Sequence, residues 1–121
     1  MKRVLIVEPD HDLGSLWAKH ISRGGSAVTL APSVREASEA LGGARYDALV
    51  IDVAMPGGSA LDLAEFARYR HPDAGVIFVT KTRAYADGSI FALCRNASAY
   101  LQSDTPPEDL AAIVEYHAAA R

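Results

Sequence analysis

The sequence predicts an α/β domain built on one parallel sheet. Short apolar runs recur at nearly even spacing along the 121 residues, and several are β-branched, which is typical of strands buried on both faces. Between the runs lie segments with the period of an amphipathic helix. Five strand–helix units in strict alternation predict right-handed crossovers, with helices on both faces of the sheet. The apolar runs are Val4–Val7, Ala27–Leu30, Ala48–Ile51, Val76–Val79 and Tyr100-Leu101.

The first two predicted helices have clear sequence signals. A segment over His11–Ser22 places five side chains on one face, which we expect to pack on the sheet: Leu13, Leu16, Trp17, His20 and Ile21. The second helix, over Ser33–Leu41, opens with Ser33 and with Glu36 three residues later. This is a capping-box pattern, in which each side chain can bond a free backbone N–H group.

Three further helices follow the same logic. We expect Ser59 to be the N-cap of a helix over Ser59–Arg70, because a serine oxygen accepts a hydrogen bond from the first turn. A fourth helix over Arg83–Arg95 ends before Asn96, a residue that tolerates the left-handed conformation found just past helix ends. The last helix is expected to start at Thr105, with a second capping box and proline in its first turn.

Composition excludes several classes of protein. The net charge is −3 and the mean hydropathy is +0.05, and no apolar run approaches the ~18 residues of a membrane span. A basic face for nucleic acid is not apparent, and Cys94 has no partner for an internal disulfide or a metal site. Because Met1-Lys2-Arg3 runs directly into a short apolar strand, we expect no signal peptide and a cytoplasmic location.

The binding site of such a fold is expected where the strands end. In open α/β sheets, ligands bind outside the carboxyl ends of the strands. Glu8 and Asp10 follow the first strand, Asp52 follows the third, and Thr80 with Lys81 follows the fourth. Acids, a hydroxyl and an amine that converge in this way suggest metal or phosphoryl chemistry. No glycine-rich loop follows the first strand, so dinucleotide and P-loop signatures are absent.

Three stretches carry a family resemblance, and they follow one another in the expected order. Val4–Asp10, Asp47–Gly57 and Val76–Thr80 resemble the receiver domain of two-component response regulators, with Asp47–Gly57 the most specific part. The resemblance covers the whole chain, and so implies a single receiver domain over residues 1–121. It also implies a flavodoxin-like, doubly wound three-layer sandwich whose five parallel strands have the order 2-1-3-4-5.

The resemblance also implies roles for individual residues. Asp52 would be the phosphorylated aspartate at the end of the third strand. Mg²⁺ would be bound by Glu8, by Asp52 and by the backbone carbonyl of Ala54. Thr80 would contact the phosphoryl group, and Tyr100 would be the aromatic residue that moves with it. The signal would change the face formed by the fourth predicted helix, the fifth strand and the last helix.

The sequence departs from the family pattern at three positions. Pro9 stands where a second, metal-binding acid is usual, and Ser103 stands where a lysine, usually followed by proline, is expected. Lys81 replaces a small residue beside the phosphoryl pocket. Losing a carboxylate should weaken Mg²⁺ binding, and losing the lysine should slow phosphoryl transfer. Without proline at Asp104, we expect a trans Ser103–Asp104 bond, since a cis bond costs about 2.5–4 kcal/mol.

Two residues could compensate for these losses. Asp10 could supply a carboxylate to the metal, although an aspartate at Asp10 or Asp12 more commonly caps the first helix, and we favour the cap. Lys81 could reach over Asp52 and replace the missing amine. The alternative, which is the commoner behaviour of a loop lysine, is that its ammonium stays in water.

Three functions follow from these observations. The first is a receiver that accepts a phosphoryl group on Asp52 from a histidine kinase or phosphotransfer protein. The second is a pseudo-receiver that binds partners without phosphorylation. The third, an enzyme with Asp52 as nucleophile, is disfavoured because Ala54 stands where a general acid would be needed; we therefore expect no enzyme. An output domain, removed or separate, and a homodimer are left open, and we expect no direct contact with nucleic acid or membrane.

Overall fold

A computed structural model describes residues 1–55, 58–81 and 97–119. Within these ranges five parallel strands form one sheet, in the order β2-β1-β3-β4-β5. The predicted strand order is therefore confirmed. The strands are β1 (Arg3–Val7), β2 (Ala27–Ala31), β3 (Ala48–Asp52), β4 (Gly75–Thr80) and β5 (Ala99–Gln102).

The described helices alternate with these strands. They are α1 (His11–Arg23), α2 (Val34–Gly43), α3 (Ala60–Arg70) and α4 (Pro107–Ala119). The helix predicted over Arg83–Arg95, together with Cys94 and the expected end at Asn96, lies outside the described residues. In the part of the chain that the structure describes, no helix is long and apolar enough to cross a membrane.

Two apolar layers hold the helices on the sheet, because successive strand residues point to opposite faces. On one face, α1 and α4 pack through Trp17, Ile21, Leu110 and Val114 against the strands. On the other face, α2 and α3 pack against a second set of buried strand residues. That set consists of Leu5, Val7, Leu49, Ile51, Val76 and Phe78. The apolar runs predicted for the first and third strands, Val4–Val7 in β1 and Ala48–Ile51 in β3, are fully buried, as predicted.

Three expectations about burial were wrong, and one of them concerns β5, where Tyr100 and Leu101 are only half-buried. β2 was expected to be buried on both faces, but Thr29 and Leu30 are exposed, because β2 lies at the edge of the sheet, beside β1. On α1, Trp17 and Ile21 are fully buried as expected. Leu16 was placed on the same inward face but is 41% exposed.

The helix starts agree with the sequence in two cases and differ in one. The Ser33 hydroxyl accepts from the Glu36 N–H group, and the Ser59 hydroxyl accepts from that of Asp62, both at 3.2 Å. The capping box expected at Thr105 is wrong. Its hydroxyl donates to the Gln102 carbonyl at 2.7 Å, and the helix begins only at Pro107.

Candidate functional site

The carboxyl ends of the central strands bring three polar side chains together. Glu8 directly follows β1, Asp52 ends β3, and Thr80 ends β4. The register pairs Val7 with Ile51, so Glu8 and Asp52 occupy the next position on neighbouring strands. All three residues are buried, and the carboxylate-bearing side chains of Glu8 and Asp52 are each 1% exposed. Two acids in such surroundings need a positive partner.

Lys81 provides that partner from the first residue after β4. Its Nζ lies 3.0 Å from Glu8 Oε2 and 3.1 Å from Asp52 Oδ2. The Lys81 side chain is 46% exposed, so its stem faces solvent while its ammonium group contacts both carboxylates. The structure therefore places this ammonium at the position that the compensation hypothesis requires, and not free in water.

A backbone N–H group also donates a hydrogen bond to each carboxylate. The Asp10 N–H group donates to Glu8 Oε2 at 3.0 Å, the same oxygen that Lys81 contacts. The Ala54 N–H group donates to Asp52 Oδ1 at 2.9 Å. Glu8 Oε1 is buried and has no hydrogen-bond partner among the described residues. One carboxylate oxygen of the site is therefore still able to accept a donor or a cation.

The pKa values of both Glu8 and Lys81 are raised by their surroundings. A raised pKa favours the neutral form of Glu8 but the charged form of Lys81. Burial raises the pKa of Glu8, and the negative charge of Asp52 adds to this rise, although hydrogen bonds from the Asp10 N–H group and Lys81 oppose it. For Lys81, burial by itself would lower the pKa, but the bonds to the two carboxylates outweigh it and raise the pKa. The raised pKa favours the charged form of Lys81, so that one ammonium group faces two carboxyl groups.

The site offers the type of oxygen ligand that a divalent cation prefers, but it offers few of them. The oxygens of Glu8 and Asp52 are the type of ligand that Mg²⁺ prefers, and the unpartnered Glu8 Oε1 is available to a cation. Ala54, whose carbonyl is the third expected ligand, lies in the exposed loop after β3. Pro9 adds no carboxylate, and within the described ranges no group of three or more His, Cys, Asp or Glu side chains converges on a metal position.

Comparison with known proteins settles the family. The response regulator receiver domain family matches residues 4–115. The chain belongs to this family. The receiver resembles PilR of Pseudomonas aeruginosa, with 33% identity over 121 residues that cover 98% of the chain and 26% of PilR. It also resembles the receiver protein CpdR of Brucella abortus, with 31% identity over 71% of the chain and 72% of CpdR.

Solved structures agree with this assignment. A receiver domain protein from Methanospirillum hungatei superimposes with a TM-score of 0.87 at 24% identity, covering 98% of the chain and 94% of that protein, which supports the fold. The response regulator TrrA of Thermotoga maritima, solved in complex with Mg²⁺ and BeF, gives a TM-score of 0.82 at 25% identity, covering 97% and 99%. The receiver spans about a quarter of the length of PilR. Its family is consistent with two-component signalling.

Thr80 and Tyr100, the two residues expected to contact the phosphoryl group and to move with it, lie on neighbouring strands. Thr80 ends β4, and its carbonyl accepts a hydrogen bond from the Ser103 N–H group at 2.8 Å. Tyr100 lies on β5 opposite Phe78, half-buried against the apolar layer that also packs α2 and α3. Ser103 brings no positive charge to the site, and the Ser103–Asp104 bond is trans, as expected.

Asp10 of the receiver serves as a helix cap. Its Oδ1 accepts from the Leu13 N–H group at 3.2 Å, and it is the N-cap residue of α1. The favoured interpretation of Asp10 therefore agrees with the structure. Its backbone N–H group, which contacts Glu8, is a contribution to the site that sequence reasoning missed, because no side-chain pattern signals it.

Sequence reasoning also gave no role to Asp47, which connects three strands at the opposite end of the sheet. Its Oδ2 accepts from the Arg3 N–H group at 2.8 Å, and its own N–H group donates to the Arg3 carbonyl at 2.8 Å. Its carbonyl accepts from the Gly75 N–H group at 3.0 Å. The only signal in the sequence is an acid flanked by apolar residues at the start of a strand. The starts of β1, β3 and β4 are thus joined through one residue.

Proposed function

We propose that this receiver accepts a phosphoryl group on Asp52 from a phosphohistidine of a histidine kinase or phosphotransfer protein. The observation that supports this most is the position of Asp52. It is a buried carboxylate at the carboxyl end of the central strand, beside a second carboxylate and the buried Thr80. In this proposal the chain is a stoichiometric acceptor in a phosphorelay and not an enzyme.

The contacts of Asp52 indicate which oxygen attacks. Oδ1 is held by the Ala54 N–H group, while Oδ2 faces Lys81. Oδ2 would form the new bond to phosphorus as the bond between phosphorus and the donor histidine nitrogen breaks, and the electron pair leaves with that nitrogen. The product is an acyl phosphate. Lys81 is placed to stabilise the negative charge on the transferring oxygens.

Other residues of the receiver would assist this transfer. A Mg²⁺ ion held by Glu8, Asp52 and the Ala54 carbonyl, when it displaces Lys81 from these acids, would supply positive charge to the phosphoryl group in its place. The Thr80 hydroxyl would hydrogen-bond the phosphoryl oxygens, and Tyr100 would move with it. The hydrogen bond between Ser103 and Thr80 supports such transmission, since it connects the end of β4 to the loop before α4. The affected face would include β5, α4 and the helix predicted over Arg83–Arg95.

Intact mass spectrometry with acetyl phosphate and Mg²⁺ tests this proposal. We expect the wild type to gain the mass of one phosphoryl group, and hydroxylamine to remove it, because acyl phosphates are cleaved by that nucleophile. Asp52→Asn should abolish the gain, whereas Asp62→Asn, an exposed acid on α3, should retain it. A wild type that gains no mass at any Mg²⁺ concentration, or a gain that survives in Asp52→Asn, contradicts the proposal.

A second candidate function is a pseudo-receiver, which would bind its partners without phosphorylation. The ion pairs of Lys81 with Glu8 and Asp52 favour it, because the site already holds a positive charge where an activated receiver would need to acquire one. The absence of an acid at Pro9 and of a lysine at Ser103 also favours it. No mass gain in the experiment above, with partner binding unchanged in Asp52→Asn, is the outcome expected for a pseudo-receiver.

A further inference from the structure

We infer that Lys81 is the built-in cation of the phosphoacceptor site and that its ammonium competes with a divalent cation for Glu8 and Asp52. The receiver would then bind divalent metal weakly for as long as Lys81 stays in place, and more tightly once it is removed. The inference deepens the proposed function by naming how that site is regulated.

The first argument is that Lys81 already contacts one oxygen of each carboxylate that a metal bridging Glu8 and Asp52 would use, which leaves Glu8 Oε1 as the carboxylate oxygen without a partner among the described residues. Glu8 Oε2 already accepts from both Lys81 and the Asp10 N–H group, so its lone pairs are used. Asp52 Oδ2 contacts Lys81, and Oδ1 accepts from the Ala54 N–H group. A Mg²⁺ ion requires close, nearly octahedral contacts at about 2.0–2.1 Å. It can make such contacts to Oε2 and Oδ2 only after Lys81 withdraws.

The second argument is the balance of charge. One ammonium group against two carboxylates leaves the site with a small negative excess. Adding a divalent cation beside Lys81 would place three positive charges against the same two acids, inside a pocket whose acidic side chains are only 1% exposed. Repulsion between like charges is strong in such surroundings. Metal entry and departure of Lys81 are therefore coupled.

The third argument is that Lys81 is able to leave. Its side chain is 46% exposed, so its stem is not enclosed by the core and its ammonium group can return to water. The carboxylates cannot move out in the same way, because they are fixed at the ends of buried strands. This asymmetry makes Lys81 a displaceable cation over a fixed pair of acids.

Titration with Mn²⁺, with the free ion measured by electron paramagnetic resonance at pH 8, tests the inference. Lys81→Met should bind Mn²⁺ about ten- to a hundredfold more tightly than the wild type, the range expected for removing a charge-assisted contact. Lys81→Arg keeps the charge and should stay within a few-fold of the wild type. Lys2→Met removes the same charge at the opposite end of the sheet, and should leave affinity unchanged.

Equal or weaker binding by Lys81→Met overturns the inference, as does an equal gain in Lys2→Met. Asp52→Asn added to Lys81→Met should remove the gain, and a gain that persists places the metal elsewhere and also overturns it. Circular dichroism verifies folding, and Lys81→Gln serves as a second variant. No phosphodonor is present, so a failure of phosphorylation would contradict the proposed function and leave this result unaffected.

Discussion

Single residues decide the chemistry of this receiver, and Lys81 shows where sequence reasoning stops. The sequence identified Lys81 as a possible replacement for the amine missing at Ser103, yet favoured a solvated side chain. Chain position fixes where the Cα of Lys81 lies, but the direction of a long side chain depends on what surrounds it. The buried carboxylates of Glu8 and Asp52 supply that attraction, and their burial becomes evident only in three dimensions.

The raised pKa of Glu8 can be tested through the pH dependence of the protein's stability. Because burial raises its pKa above the usual 4.5, the stability it contributes is present below about pH 4.5 and is lost as the pH rises through the folded-state pKa. Glu8→Gln cannot ionise and should avoid this loss. We expect its free energy of unfolding at pH 7 to exceed that of the wild type by about 1 kcal/mol, the lower end of the cost of a buried polar atom without a partner, as Glu8 Oε1 is.

Urea unfolding at several pH values between 4 and 8 measures this difference. The curves of wild type and Glu8→Gln should converge near pH 4 and separate as the pH rises. Glu65→Gln, at an exposed position on α3, should follow the wild type throughout. If Glu8→Gln were less stable than the wild type at pH 7, the bonds of Glu8 to Lys81 and Asp10 would outweigh its burial, and the expected direction of the pKa shift would be wrong.

Helix starts are the features that the sequence predicts best at the scale of single elements. Ser33 and Ser59 were expected to be N-caps and are so, because a capping bond depends on residues only three apart. Thr105 was expected to act in the same way, but its hydroxyl bonds backwards to Gln102. The partner of the Thr105 hydroxyl depends on how β5 leads into the turn before α4, and the local sequence pattern does not indicate this. β2 was misjudged for a similar reason, since its edge position depends on strand order.

Variants of Asp10 distinguish its role as a helix cap from a role as a metal ligand. Asparagine is about as good an N-cap as aspartate, so Asp10→Asn should keep the stability of the wild type and also its Mn²⁺ affinity. Asp10→Ala should lose the bond to the Leu13 N–H group and cost about 1 kcal/mol of unfolding free energy. Urea unfolding and Mn²⁺ titration of both variants give the answer. A marked loss of Mn²⁺ affinity in Asp10→Asn would instead assign the carboxylate to the metal.

At the scale of the whole molecule, the sequence predicted the fold more completely than the site. Strict alternation of buried strands and amphipathic helices leaves few arrangements, and the family resemblance fixed the strand order that the structure confirms. The site was predicted as a set of residues after strand ends, since topology alone brings Glu8, Asp52 and Thr80 together. Their hydrogen bonds involve backbone groups of Asp10 and Ala54, and these could not be predicted from the types of side chain in the sequence.

Gly75 tests how closely α4 packs on the sheet. A Cβ atom at Gly75 would lie 2.9 Å from the Cβ of His117 and 3.3 Å from its carbonyl oxygen, so β4 or the end of α4 would have to shift. We expect Gly75→Ala to lower the free energy of unfolding by about 1–3 kcal/mol, the usual cost of overpacking. Gly42→Ala, in open space on α2, should be neutral or stabilising. Urea unfolding of both variants checks this, and an unchanged Gly75→Ala would mean that the contact yields easily.

The hydrogen bonds of Asp47 have a mechanical consequence for signalling. They join the beginnings of β1, β3 and β4, at the end of the sheet remote from Asp52. The starts of these three strands are therefore held together, and no strand can slide along its axis relative to the others without breaking a hydrogen bond of Asp47. We therefore expect a displacement caused by a phosphoryl group on Asp52 to be taken up by the loops beyond the carboxyl ends and by β5, while the starts of β1, β3 and β4 keep their positions relative to one another.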